Sequence, residues 1–224
     1  MRLLLIRHGQ TPSNVLGVID AAAPGPGLTD LGHVQARAVP RALADEHVVG
    51  VYASPLVRTQ LTAAPLAQAR SLVVEVRDGL QEIEAGHQEG ASTPEAYAAY
   101  IGTMETWADG DLAWAMPGGP DGHAFMRRFD DAVRGIADGH DADATVAIVS
   151  HGAAIRVWAA VRASSDPSAT VRQRVLNTGL VVVEGLPDPG WSVVHWREEP
   201  LGGIDLEGNI SHDVTGGTPT EPAD

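Results

Sequence analysis

Arg2-Leu3-Leu4-Leu5-Ile6-Arg7-His8-Gly9 and Val146-Ala147-Ile148-Val149-Ser150-His151-Gly152 share one pattern: an unbroken apolar run that stops at a polar residue, a histidine and a glycine. A short apolar run without polar alternation reads as a strand covered on both faces, as in a parallel sheet between helix layers. The second run opens into an alanine-rich helix to about Val161. Val48 to Ala53 is another strand, broken by Ser54-Pro55, which opens a helix through Arg58 toward Ala69 with a kink predicted at Pro65. Thr29 and Asp30 supply N-caps for a helix to about Ala44. Leu72 to Val76 is a short strand, and Leu180 to Glu184 and Trp191 to Trp196 are late strands around the turn Pro187-Asp188-Pro189-Gly190. This alternation predicts an α/β three-layer sandwich, a largely parallel sheet flanked by helices, with functional groups at the strand C-terminal ends.

Between about 83 and 140 the pattern turns helical, over about Pro94 to Ala108 and Gly122 to Ala137. It reads as a helical cap insertion within one domain spanning 1–197. Residues 198–224 are rich in Glu, Gly, Pro and Thr, the composition of an acidic, flexible tail.

The 224 residues are 44% hydrophobic and 20% charged, as in soluble globular proteins. There is no cysteine, which excludes disulfides, thiolate metal sites and cysteine nucleophiles. All 15 basic residues are arginine, which excludes a P-loop or Schiff-base lysine. An anion must therefore be held by arginine, histidine or backbone N–H. The net charge of −14 argues against nucleic acid and membrane as partners, while leaving room for a small anion in a locally positive pocket. The apolar runs are too short to span a bilayer and no secretory leader is visible, so the expected address is cytoplasmic. A homodimer is compatible with these features.

A lone histidine at a strand end is more often structural than catalytic. Two at equivalent ends of a doubly wound sheet converge on one crevice, and Gly152 opens a helix whose N-terminal N–H groups suit an anion. Asn14, Arg58 and Glu82 fall at similar positions. Arginine forks match phosphate oxygens, histidine attacks phosphorus or stabilises charge, and a carboxylic acid protonates a leaving alkoxide. The remaining histidines have bland readings: His33, His47, His140, His195 and His212 as surface or structural residues, with His87 and His123 in the cap left open. Asp138-Gly139-His140-Asp141 with Asp143 reads as a solvated turn, not a cation loop. Ser150 as a hydrolase nucleophile ranks below the histidines, because Ile148 stands where that elbow needs glycine.

Leu5-Ile6-Arg7-His8-Gly9-Gln10-Thr11 with Asn14 resembles the histidine phosphatase superfamily, also called phosphoglycerate-mutase-like. Leu28-Thr29-Asp30-Leu31-Gly32, Ser54-Pro55-Leu56-Val57-Arg58-Thr59, Leu80-Gln81-Glu82 and Val149-Ser150-His151-Gly152 extend the likeness in order along most of the chain. The resemblance implies His8 as nucleophile, Arg7, Arg58 and His151 with Asn14 as the phosphate clamp, and Glu82 as acid then base. It implies no metal and no cofactor, with a small phosphorylated metabolite as substrate.

The family holds phosphatases and mutases. No arginine occurs from Asp78 through Met126, whereas Glu82, Glu84, Glu89 and Glu95 are among several acids there. That is a poor clamp for a phosphoglycerate carboxylate and favours a phosphatase. A cofactor-dependent phosphoglycerate mutase, or a catalytically silent module binding a phospho-ligand or a protein, are the alternatives. Tyr97, Tyr100, Met104, Trp107, Trp114 and Met116 line an apolar acceptor side or simply pack the cap.

Overall fold

The structure is a computed structural model describing residues 1–208, 213, 214 and 216. Its elements are β1 (Arg2–Arg7), α1 (Pro12–Leu16), α2 (Asp30–Ala42), β2 (Val48–Ala53), α3 (Val57–Ala69), β3 (Val74–Val76), α4 (Pro94–Ala108), α5 (Gly122–Ala137), β4 (Thr145–Ser150), α6 (Gly152–Ala163), α7 (Pro167–Val171), β5 (Leu180–Leu186) and β6 (Gly190–Arg197). The strands form one six-stranded sheet in the order β3-β2-β4-β1-β5-β6. The first four in that order are parallel, and β5 and β6 are antiparallel to their neighbours. The expected α/β sandwich with a mostly parallel sheet is the one observed.

Strand alternation divides the β1 side chains between two cores. Leu3 and Leu5 pack with Trp107, Phe129 and Trp158 on the α4–α7 side. Leu4 and Ile6 pack with Val39, Leu43 and Leu66 on the α2 and α3 side. All four are fully buried, each contributing about 2 kcal/mol. This two-sided burial explains why the run shows no polar alternation.

The cap helices join the same core. Tyr100, Met104, Trp107 and Met116 are at most 1% exposed, Trp107 stacks on Phe125, and Trp114 is 51% exposed. Four of the six residues of that stripe, Tyr100, Met104, Trp107 and Met116, therefore pack the core. No break interrupts α3 at Pro65. Residues 198–208 include a 3-10 turn at Ile204–Leu206; Leu201 is buried and Gln35 Nε2 donates to the Leu206 carbonyl. His212 lies outside the described residues. No described helix is long and apolar enough to cross a membrane.

Candidate active site

The β1–β4 register aligns Arg7 with Ser150, so His8 and His151 leave adjacent strand ends together. His8 N–H donates to the Ser150 carbonyl at 3.0 Å, and the two imidazoles meet edge to face, 5.3 Å between centroids. Gly9 lets this loop approach α2: a Cβ there would stand 2.7 Å from the Gly32 carbonyl oxygen. Its N–H donates to Thr62 Oγ1, which itself donates to the Arg58 carbonyl. Arg58 lies in the first turn of α3, buried, with Nη2 donating to the Asp20 carbonyl at 2.8 Å. Among the described residues its Nη1 has no hydrogen-bond partner, and it stands 3.7 Å from Asp20 Oδ1.

His8 Nδ1 lies 2.8 Å from the Gly9 carbonyl oxygen. A carbonyl only accepts, so Nδ1 carries the proton and Nε2 keeps its lone pair. Burial, then the charges of Arg58 and Arg7, hold the imidazole well below the usual histidine range. The same causes, burial first and then Arg58, lower His151. His151 Nε2 is 2.7 Å from Ser54 Oγ, while its buried Nδ1 has no hydrogen-bond partner among the described residues.

Glu82 is 2% exposed, and burial raises its carboxyl above the ordinary value. Backbone N–H groups oppose that shift: Ile83 and Ala154 donate to Oε1 at 2.9 and 2.8 Å, and Ala153 to Oε2 at 3.2 Å. The start of α6, opened by Gly152, thus holds this carboxyl. His8, Asn14, Arg58 and Glu82 line one small cavity, with Thr11, Ser13, Val18 and Asp20. Glu82 also borders a larger cavity of about 450 Å³ walled by Ala21 to Ala23, Leu56, Ala85 and Arg128. The cap aromatics do not line this cavity.

Two of the sequence-derived clamp residues have local partners. Asn14 sits in the first turn of α1, its Oδ1 accepting from Thr11 N and Asn177 Nδ2. Arg7, behind His8, extends its guanidinium to Asp213: Nη1 to Oδ2 at 2.6 Å and Nη2 to Oδ1 at 2.7 Å. Nη1 also donates to the Val175 carbonyl, and Asn14 Nδ2 donates to Asp213 Oδ1. Asp213 falls in the stretch the composition reads as a tail, and nothing in its neighbours' residue types marks it. Ser54, Asn177 and Thr178 escape the sequence reading as well. Asn177 Nδ2 donates to the His8 carbonyl, and Thr178, at φ 59°, donates its N–H to the Arg7 and His8 carbonyls. Among the described residues, His8 is the one histidine lining the small cavity, with His151 in ring contact with it; His140 Nε2, for its part, bonds the Tyr52 hydroxyl.

The profile of the histidine phosphatase superfamily (branch 1) matches residues 3–199. The chain belongs to the histidine phosphatase superfamily. The chain is 36% identical, over 93% of its length, to the PE-PGRS family protein PE_PGRS11 of Mycobacterium tuberculosis, of which it spans only 38%. It is 32% identical to the metal-independent phosphoserine phosphatase of Arabidopsis thaliana, covering 88% of this chain and 81% of that one. Its fold matches that of a mycobacterial glucosyl-3-phosphoglycerate phosphatase with a TM-score of 0.72 at 25% identity, covering 88% and 98% of the two chains.

Proposed function

We propose that the protein is a phosphomonoester phosphatase acting on a small phosphorylated metabolite through a phosphohistidine at His8, without a metal. The observation that carries this reading is one cavity holding an imidazole with a free Nε2, a carboxyl kept protonatable by burial, and an arginine with a donor to spare. The relatives named for phosphoserine and glucosyl-3-phosphoglycerate phosphatases support the substrate class.

His8 Nε2 attacks phosphorus as the ester P–O bond breaks, and Glu82 gives its proton to the departing alkoxide. The Glu82 carboxylate then takes a proton from water, whose oxygen attacks phosphorus. The N–P electron pair returns to Nε2 and inorganic phosphate leaves. Charge developing on the equatorial oxygens is met by Arg58 Nη1 and His151 Nδ1, both without another hydrogen-bond partner among the described residues. A Ser54 hydroxyl that donates to His151 Nε2 would put that ring's single proton on Nδ1, leaving it able to donate to a phosphate oxygen. Arg7 adds positive potential, and Gly152 begins the helix that orients Glu82.

Phosphate release from an aryl and an alkyl ester in the presence of a chelator, for wild type and His8→Ala, tests the reading. The expected result is chelator-resistant release, with an acid-labile phosphoenzyme, that the variant abolishes. Release that persists in His8→Ala overturns it. Isomerisation of 3-phosphoglycerate only with added bisphosphoglycerate, and no hydrolysis, makes the protein a mutase.

A further inference from the structure

Resting on the phosphatase reading, we propose that the acceptor cavity selects esters whose alcohol is neutral or cationic and rejects those bearing a carboxylate or second phosphate. Beyond Glu82, its walls are small and apolar at Ala21, Ala22, Ala23, Leu56 and Ala85, with two carboxylates, Glu84 and Glu89, and one cation, Arg128.

Arg128 is committed to the fold. Its Nη1 donates to the Gly79 and Gln81 carbonyls, both at 2.8 Å, and its Nη2 to the Glu82 carbonyl at 2.6 Å. The guanidinium also lies over the Phe125 ring, 4.9 Å from its centroid. Burial lowers its proton affinity, and the neighbouring charge of Glu84 works against that loss. Its positive charge is thus answered within the cavity, and its fork is spent on the backbone that carries the acid.

Glu89 is fixed on the opposite wall, accepting from Ala21 N and Ala22 N at 3.1 to 3.2 Å. With Glu82 protonated for catalysis, Glu84, Glu89 and Arg128 leave one negative charge in excess. Asp20, which lines the adjoining cavity, answers Arg58 in the same way. Arg128 is the one cation lining this cavity and Arg58 is taken up by the phosphate, so an anionic acceptor would meet repulsion there, and like-charge juxtaposition is an effective device for rejecting a ligand. The alcohol of the preferred ester therefore ends in hydroxyl, alkyl or ammonium groups.

Two matched pairs isolate the charge: glycerol 3-phosphate against 3-phosphoglycerate, and O-phosphoethanolamine against O-phosphoserine. Each pair differs mainly by one carboxylate, and 4-nitrophenyl phosphate reports the chemistry independently of the pairs. The expected kcat/KM favours the carboxylate-free member of each pair by about tenfold or more, corresponding to about 1.4 kcal/mol. Glu84→Gln narrows both gaps and Glu84→Arg closes or reverses them, read as ratios within each variant. Equal or better turnover of the carboxylates, with the aryl ester hydrolysed, overturns this proposal and leaves the phosphatase standing. Failure of every ester, aryl included, overturns the phosphatase reading and this one with it.

Discussion

Glu82 is held between two opposing influences: burial favours its acid form, and three backbone N–H groups favour the carboxylate. An acid that must first give and then accept a proton needs both forms within reach. Glu82→Gln should lower turnover of alkyl phosphates by about 100-fold or more, within the usual range for general acids, and of aryl phosphates by less than about tenfold. Equal losses in parallel assays would remove the acid role. The pH profile follows from the same shifts. Activity falls on the acid side as His8 protonates, well below pH 6.5, and on the alkaline side as Glu82 ionises above its ordinary 4.5. The alkaline limb should be steep in kcat/KM for an alkyl ester and weak for an aryl ester; superimposable profiles would refute the assignment. Asp213 makes a separate test possible, because its pair with Arg7 is 3% and 0% exposed. Asp213→Ala leaves a buried guanidinium without its carboxylate and should destabilise the fold by about 3 kcal/mol. Inorganic phosphate should stabilise this variant more than the wild type in thermal unfolding, since an oxyanion can take the vacated place. Equal stabilisation would show that Arg7 is out of reach of phosphate.

Among the elements, loops matter as much as strands. Gly25 has φ +65°, and a Cβ there would come within 2.4 Å of Arg58 Nη1. Gly25→Ala should lose about 1 kcal/mol from the left-handed backbone alone and raise KM for phosphate esters by displacing the guanidinium. An unchanged KM would mean the loop moves freely away from Arg58. The sequence presents this loop only as alanine, glycine and proline, and its contact with Arg58 becomes visible only in the fold. β1 and β4, by contrast, are legible because burial on both faces forces an unbroken apolar run. β3 is shorter than its run: it lies at the sheet edge, pairs only over Val74–Val76, and leaves Val73 80% exposed. The cap stripe was ambiguous for a related reason. Helical spacing shows that Tyr100, Met104 and Trp107 share a face, but not whether that face meets a ligand or another helix.

For the whole molecule, the buried histidines couple stability to pH. His8 and His151 have folded values below 6.5, so the unfolded chain binds more protons beneath that pH. Their contribution is fully present above about pH 6.5 and declines as pH falls toward the folded values. Glu82 acts with the opposite sign, its contribution being present below 4.5 and lost as pH rises through its raised folded value. Thermal midpoints should therefore drop on acidification from neutrality, and a His8→Asn/His151→Asn variant should drop less. A slope unchanged by that variant would place the pH sensitivity elsewhere. The gathering of His8, Arg58, Glu82 and His151 was legible in the sequence because each stands at or near the end of an element on the same side of the sheet. Asp213 was not, because a contact across 206 residues of chain leaves no periodicity and no local motif.

The central place of β1 also bears on how the protein is made. Arg2 pairs with Thr145 on one side and Glu184 on the other, so this strand leaves the ribosome long before either neighbour exists. Leu3 and Leu5, whose partners Trp107, Phe129 and Trp158 lie in the cap and beyond, must wait uncovered through its synthesis, a state open to wrong partners and served by chaperones. The nascent chain acquires His8 early and His151 late, and only after β5 has been released does the first histidine gain its setting. Hydrolysis should therefore be absent from chains stalled on the ribosome before β5 emerges, and should appear only with release of the finished polypeptide.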